Sequence, residues 1–245
     1  MIELIVPDWP APEGVQALST TRREGCSAAP YDSFNLGGHV GDNSQRVADN
    51  RAQLRRQGNL PADPLWLEQV HGCSVAECGE DATDPPLTAD AAFSDTPGRV
   101  CAIMTADCLP LLLCNRSGTK VAAVHAGWRG LAAGVIEAAV DRFAEPGESL
   151  LAWLGPAIGA DCFEVGGEVR EQFLGIDQMN EDAFKAGHGD RWLADIYRLA
   201  RIRLKTRGVG FVAGGEYCTV SDSERFFSYR RDGVTGRMAS LIWIE

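Results

Sequence analysis

Between residues 89 and 124 four short apolar segments follow one another, 89–94, 100–105, 109–114 and 120–124, separated by Asp, Pro, Gly and Asn. Runs of about four to eight apolar residues framed by turn formers read as strands, several of them buried on both faces. A chain that spends four successive segments this way is committed to a sheet-based core. The next segment changes period. Residues 130–143, GLAAGVIEAAVDRF, are rich in alanine, carry apolar residues at helical spacing and are closed by Pro146 and Gly147, the pattern of a helix with its stop.

Beyond it, 150–154 reads as a strand and 167–173 as a short helix. A longer helix is expected over 190–207, with Trp192, Ile196, Leu199, Ile202 and Leu204 as its apolar stripe and Gly208 as its stop, and 238–244 closes the chain as a strand. Strands cluster rather than alternate with helices, which predicts an α+β protein with mixed sheets. The breaks in the pattern are the acidic loop 78–86 and the AEPG turn at 144–147. Neither has the length or composition of a linker, so the 245 residues are expected to form one domain, 1–245.

Charge and cysteine usage exclude several classes of function. A net charge of −11 disfavours a nucleic-acid partner, because phosphate backbones are held by clustered Lys and Arg. The short basic pairs Arg22-Arg23, Arg55-Arg56 and Arg230-Arg231 suit a small anion better. The opening MIELIVPDWPAP has neither the basic start nor the apolar run of a signal peptide, and no segment reaches membrane-spanning length. A cytoplasmic protein without a membrane partner is therefore expected. Its eight cysteines are then thiols, mostly small buried hydrophobes, and the absence of CxxC points away from zinc ribbons and thioredoxin-type pairs.

The sequence also lacks GxSxG, GxxxxGK[ST], HExxH, a helix-opening GxGxxG, and the H-x-E…P-C-x-x-C deaminase signature. What remains is three side chains just beyond apolar segments and beside turn residues: His71 in LEQVHGCSV, Cys108 in MTADCLPLL and His125 in AAVHAGWRG. Strand ends at turns are where a scaffold presents groups into a shared cleft. Two imidazoles and a thiolate satisfy zinc and leave a fourth position open, as in a catalytic site, where the ion brings the pKa of water towards neutrality. Each residue alone reads equally as a hydrogen-bonded histidine or a buried thiol. His39, in GGHVGD, is a weaker fourth candidate, and His188 reads as a solvated loop residue.

Gly127-Trp128-Arg129-Gly130 leads from His125 into the expected helix. A helix start presents free N–H groups and partial positive charge, so an anion site there is expected, with Arg129 as its clamp. The alternative for Arg129 is a surface ion pair. Trp128 suits stacking on a flat ring or packing into the core.

QVHG at 69–72, ADCLP at 106–110 and HAGWRG at 125–130 resemble the signatures of the YfiH-like, laccase-domain family, also described as purine nucleoside phosphorylases of that type and as the peptidoglycan editing factor. FNLGGHVGD at 34–42, ADAAFS at 89–94, GPAIGADCFEVG at 155–166 and FFSYRRDGVTGRMA at 226–239 extend the resemblance over nearly the whole chain, with Phe163 where the family often has tyrosine.

The resemblance implies a single-domain, four-layered α/β/β/α sandwich. It implies that His71, Cys108 and His125 meet as a catalytic and metal centre holding zinc or copper. Phosphate would then lie near Arg129, and Asn35, Asp107 and Arg230 are candidates to contact the substrate or to support the ligands from behind. It further implies phosphorolysis of adenosine, inosine and methylthioadenosine, and deamination of adenosine, by a chain expected to be a monomer.

Three other readings use the same residues. Cys108 as nucleophile with His125 as base would make a hydrolase or amidase acting on cell-wall precursors. A copper-dependent polyphenol oxidase would use the two histidines, Cys108 and Met104, although four histidines in all are too few for the additional copper cluster of a multicopper oxidase. In a non-enzymatic scaffold, the ion would hold the strands together.

Overall fold

The computed structural model describes residues 1–79 and 85–245; residues 80–84 of the acidic 78–86 loop lie outside the described residues. In chain order the elements are β1 (Leu4–Ile5), β2 (Val15–Thr20), α1 (Ser44–Gln57), β3 (Val75–Glu77), β4 (Ala91–Ser94), β5 (Val100–Thr105), β6 (Leu109–Asn115), β7 (Val121–Ala126), α2 (Trp128–Ala133), α3 (Val135–Phe143), β8 (Leu150–Leu154), β9 (Glu164–Gly166), α4 (Gly167–Ile176), β10 (Phe184–Ala186), β11 (Arg191–Ala194), α5 (Ile196–Thr206), β12 (Phe211–Gly214), α6 (Tyr229–Asp232) and β13 (Met238–Ile244).

The strands form an α+β structure with a mixed sheet. Six of them run in the order β12-β8-β6-β7-β4-β3, parallel at the two outer pairs and antiparallel between. A second, antiparallel sheet runs β1-β2-β13-β5 and joins the two ends of the chain. A small antiparallel sheet, β10-β11-β9, completes the set.

Strand period explains why the segments had to be apolar throughout. Successive side chains point to opposite faces, and both faces of β5, β6, β7 and β13 are covered. Leu112 and Cys114 of β6 and Val121 and Ala123 of β7 pack against Cys101, Ile103 and Ile242 of the four-stranded sheet. Their neighbours Leu111, Leu113, Ala122 and Val124 pack on the other side against Leu131, Ile136 and Leu199 of the helices. On the far face of the four-stranded sheet, Leu54 of α1 meets Leu18, Ala102 and Leu241. Truncating a fully buried leucine such as Leu111 to alanine would cost about 2–5 kcal/mol.

Two expected helices are altered. Residues 130–143 divide at Gly134, whose φ of 97° ends α2 after six residues and starts α3; glycine adopts that left-handed conformation without a side-chain clash. The expected 190–207 helix begins only at Ile196. Arg191–Ala194 is a strand, paired on one edge with Glu164–Gly166 and on the other with Phe184–Ala186. Asp195 then caps α5 by accepting from the Arg198 N–H. Two ladders and a mid-segment cap outweigh the helical spacing of Trp192 with Ile196.

Candidate metal centre

His125 is the fifth residue of β7, so it shares the face of Val121 and Ala123 and points between the two large sheets. Pro110 of β6 lies opposite His125 in the antiparallel register. Cys108, two residues before Pro110, follows the tight turn in which Asp107 has a φ of 92°. Strand pairing thus brings Cys108 to the end of β7. Gly127 closes this end from below: a Cβ there would stand 2.9 Å from His71 Cδ2, 3.0 Å from Cys108 Sγ and 3.6 Å from His125 Nε2.

His71 arrives from a loop. Its backbone has a φ of 61°, outside the usual range for a side-chain-bearing residue, and two groups hold it there. Gln69 donates from Nε2 to the Met104 carbonyl and accepts from the Met104 N–H, both at 2.8 Å, so its amide pairs with the β5 backbone as a neighbouring strand would. The carboxylate of Asp90 accepts the N–H groups of Val70, His71 and Gly72 at 3.3, 2.8 and 2.6 Å. It also accepts from His125 Nδ1 at 2.8 Å, which leaves His125 Nε2 facing the cluster. One buried carboxylate therefore orients both histidines.

The three donor atoms lie within 4.8 Å of one another, with Cys108 Sγ 3.7 Å from His71 Nε2. That spacing is close to the about 3.5 Å separating a thiolate and an imidazole on one tetrahedral ion. The electrostatics agree with the donor set. Burial would push the Cys108 thiol up, but the charge and hydrogen bond of His125, helped by His71, bring it down to about 6. Burial would push His125 down, but Cys108 and Asp90 raise it to about 9. Asp90 resists its own burial through His125 and the Gly72 and His71 amides, and stays below the ordinary carboxylate range. Thiolate, imidazoles and an orienting carboxylate fit a divalent soft or borderline cation.

The cluster lies against a cavity of about 590 Å³, a size suited to a small organic ligand. The Arg129 and Arg230 side chains line it, together with Arg237. Arg129 lies over the Trp128 ring, 4.4 Å from its centroid. The break at Gly134 leaves α2 with six residues and a weak macrodipole, and guanidinium groups add positive charge at this wall. His39 also lines the cavity, whereas His188 is exposed.

Asn35 does not line it. Its side chain is fully buried, donates to Asp42 and the Gly37 carbonyl, and accepts from the Gly37 and Arg237 N–H groups. Asp107 lines the cavity but is engaged by the Thr219 hydroxyl and the Arg230 N–H, each at 2.6 Å. Asp90, Gln69 and Arg237 stand within ADAAFS, QVHG and FFSYRRDGVTGRMA, and those motifs alone do not give them their roles. A further signal is the place of Asp90, a carboxylate at the mouth of an apolar strand, where an unpartnered charge would be costly.

Residues 16–245 match the family model described as multi-copper polyphenol oxidoreductase laccase. The chain belongs to this laccase-domain, YfiH-like family. It is 59% identical over 247 aligned residues to the purine nucleoside phosphorylase YfiH of Escherichia coli strain K12, covering 100% of both chains. It is 55% identical to a purine nucleoside phosphorylase of Pseudomonas aeruginosa strain PAO1, covering 98% of each. A crystal structure of a Neisseria meningitidis protein with 48% identity superimposes with a TM-score of 0.95 over 99% of each chain.

Proposed function

We propose that the chain is a metal-dependent purine nucleoside enzyme that phosphorolyses adenosine, inosine and methylthioadenosine to the free base and a ribose 1-phosphate, and deaminates adenosine to inosine. The observation that carries this reading is the convergence of His71, Cys108 and His125 beside a cavity lined by guanidinium groups, in a chain so similar to relatives named purine nucleoside phosphorylase. Zinc is the ion we assign, with copper as the competitor. His71, Cys108 and His125 would hold it; when bound, it supplies a Lewis acid and brings water towards ionisation at neutral pH.

The protein's own groups do the rest. Arg129 and Arg230 hold phosphate, and Trp128 and Phe163 offer aromatic surface to the purine. Asn35 contributes indirectly, fixing the Arg237 backbone and the Gly37 turn. Asp90 keeps His125 in the tautomer that turns Nε2 to the reacting side. The three apolar clusters support a four-layered α/β/β/α sandwich, and the pairing of β13 with both β2 and β5 supports one domain over 1–245. Among the described residues no helix is long and apolar enough to cross a membrane. We assign a cytoplasmic monomer without a nucleic-acid partner.

A second reading has support in the order Cys108, His125, Asp90, which is that of nucleophile, base and orienting carboxylate. It would make the chain a cysteine hydrolase or amidase of cell-wall precursors. Chelation separates the two. Adenosine deamination and phosphate-dependent cleavage of inosine are expected to vanish when metal is stripped and to return with zinc. Undiminished activity in a stripped protein, or in Cys108→Ala, overturns the proposal. An oxidase would instead need further copper ligands, and His71, Cys108 and His125 are the one three-residue ligand group among the described residues.

A further inference from the structure

Away from the metal cluster, Cys162 and Cys218 are brought together by two loops beside the cavity. The Ser221 hydroxyl lies 3.3 Å from Cys218 Sγ and 3.5 Å from Cys162 Sγ. The Gly159 N–H donates to Cys218 Sγ at 3.3 Å, and the Cys162 N–H donates to the Gly159 carbonyl at 3.0 Å, so Cys218 rests on the turn that carries Cys162. The approach is close: a Cβ on residue 159 would stand 3.0 Å from Cys218 Cβ and 3.1 Å from its sulfur. Both thiols are free and partly accessible.

The surroundings favour reaction at Cys218. Burial pushes its thiol up, but hydrogen bonds from the Ser221 side chain and from the backbone of Ser221, Gly159 and Val220 leave it below its ordinary value. The Cys162 loop reaches the cavity, and the Cys218 loop is tied to its wall. The Cys162 carbonyl accepts from Arg230 Nη1 at 3.4 Å, and the adjoining Phe163 ring lies 5.7 Å from the Arg230 guanidinium. Thr219, next to Cys218, donates to Asp107, the neighbour of Cys108.

We propose that Cys162 and Cys218 are a redox-responsive thiol pair, converted by a hydroperoxide into a disulfide that draws the two loops together and resets the cavity wall at Phe163 and Arg230. The Cys218 thiolate attacks one peroxide oxygen, the O–O bond breaks, and a sulfenic acid forms as the other oxygen leaves as water after taking a proton. The Cys162 thiolate then attacks that sulfur, the S–S bond forms, and the S–O bond breaks to release a second water. Two thiols and one hydrogen peroxide thus give one disulfide and two waters, with sulfur oxidised and peroxide reduced. A dithiol reverses the step. The Ser221 hydroxyl swings aside as the sulfurs meet, since they must close to about 2.05 Å.

The test is brief treatment of the metal-loaded protein with hydrogen peroxide, alkylation of remaining thiols, digestion and peptide mass mapping of wild type, Cys162→Ser and Cys218→Ser. A 162–218 cross-linked peptide is expected in wild type and lost after dithiothreitol. In Cys162→Ser, a dimedone adduct is expected at Cys218. Oxidised wild type should show a several-fold, dithiothreitol-reversible rise in the adenosine KM that Cys162→Ser lacks. The proposal is overturned when Cys162 and Cys218 both stay alkylatable while Cys26 or Cys73 oxidises. A KM change of equal size in Cys162→Ser also overturns its link to the cavity, because the change would then not need the disulfide. The mapping needs no nucleoside turnover, so its failure is distinct from failure of the proposed reaction.

Discussion

The two halves of the metal centre are built in different ways. Cys108 and His125 stand at the paired ends of β6 and β7, where backbone ladders and two apolar cores fix them. His71 stands in a loop at positive φ whose ends are anchored by backbone bonds at Glu68 and Ser74, while the residues around His71 itself are held by side chains, the Gln69 amide and the Asp90 carboxylate. Sheet register gives one half its precision through backbone bonds. The other half needs a fully buried carboxylate, and because Asp90 also takes the Nδ1–H of His125, that group ties the halves together.

Removing a donor from the strand-held half should have the largest effect. Cys108→Ala is expected to lower zinc affinity by more than about 100-fold, beyond the range for loss of a supporting group, and to abolish nucleoside turnover with little change in circular dichroism. Competition with a chromophoric chelator measures the affinity; tight zinc binding in this variant would show that the cluster is not the site. Gly127→Ala tests the same floor without removing a donor, since the added methyl would press on His71 and the Cys108 sulfur; comparable loss of zinc is expected.

Asp90→Asn comes next. The amide oxygen can still accept backbone N–H groups, but the charge and one acceptor are gone, and both histidines lose their common support. Zinc affinity should fall by about 10–100-fold, and denaturant titration should register a loss of about 1–3 kcal/mol from N–H groups left poorly satisfied. A variant that kept wild-type affinity while losing stability would confine Asp90 to folding.

The contrast between the halves also explains what could be read from the chain. The strands 100–105, 109–114 and 238–244 were legible because covered faces demand unbroken apolar runs, and His71, Cys108 and His125 stood out as unusual groups beside them. Their meeting was not legible, because it depends on the register that sets Pro110 against His125 and on a loop whose anchors are 19 and 35 residues away. Arg191–Ala194 has helical spacing yet forms a strand for the same reason: its partners, Glu164–Gly166 and Phe184–Ala186, are distant or unremarkable in sequence. Asn35, a candidate either for substrate contact or for support, spends its bonds on its own loop and on the Arg237 backbone, which places it among the supports.

The smallest effect, and the sharpest division of the halves, is expected at Gln69. Its amide touches only the Met104 backbone, so a change there acts on His71 through the loop and leaves the Asp90 bond to His125 in place. Gln69→Ala leaves a strand N–H and carbonyl without partners, a loss of about 1–3 kcal/mol where water cannot enter. Gln69→Glu keeps an acceptor for the Met104 N–H but sets a carboxylate oxygen against the Met104 carbonyl, so it should be at least as harmful as alanine despite its size. Both variants should weaken zinc less than Asp90→Asn does. In a cobalt-substituted protein, the thiolate-to-metal absorption from Cys108 should persist while the exchange rate of the ion rises, because the loop-held ligand is the one released. Equal zinc loss in the Gln69 and Asp90 variants would mean that the loop, rather than the shared carboxylate, governs the whole centre.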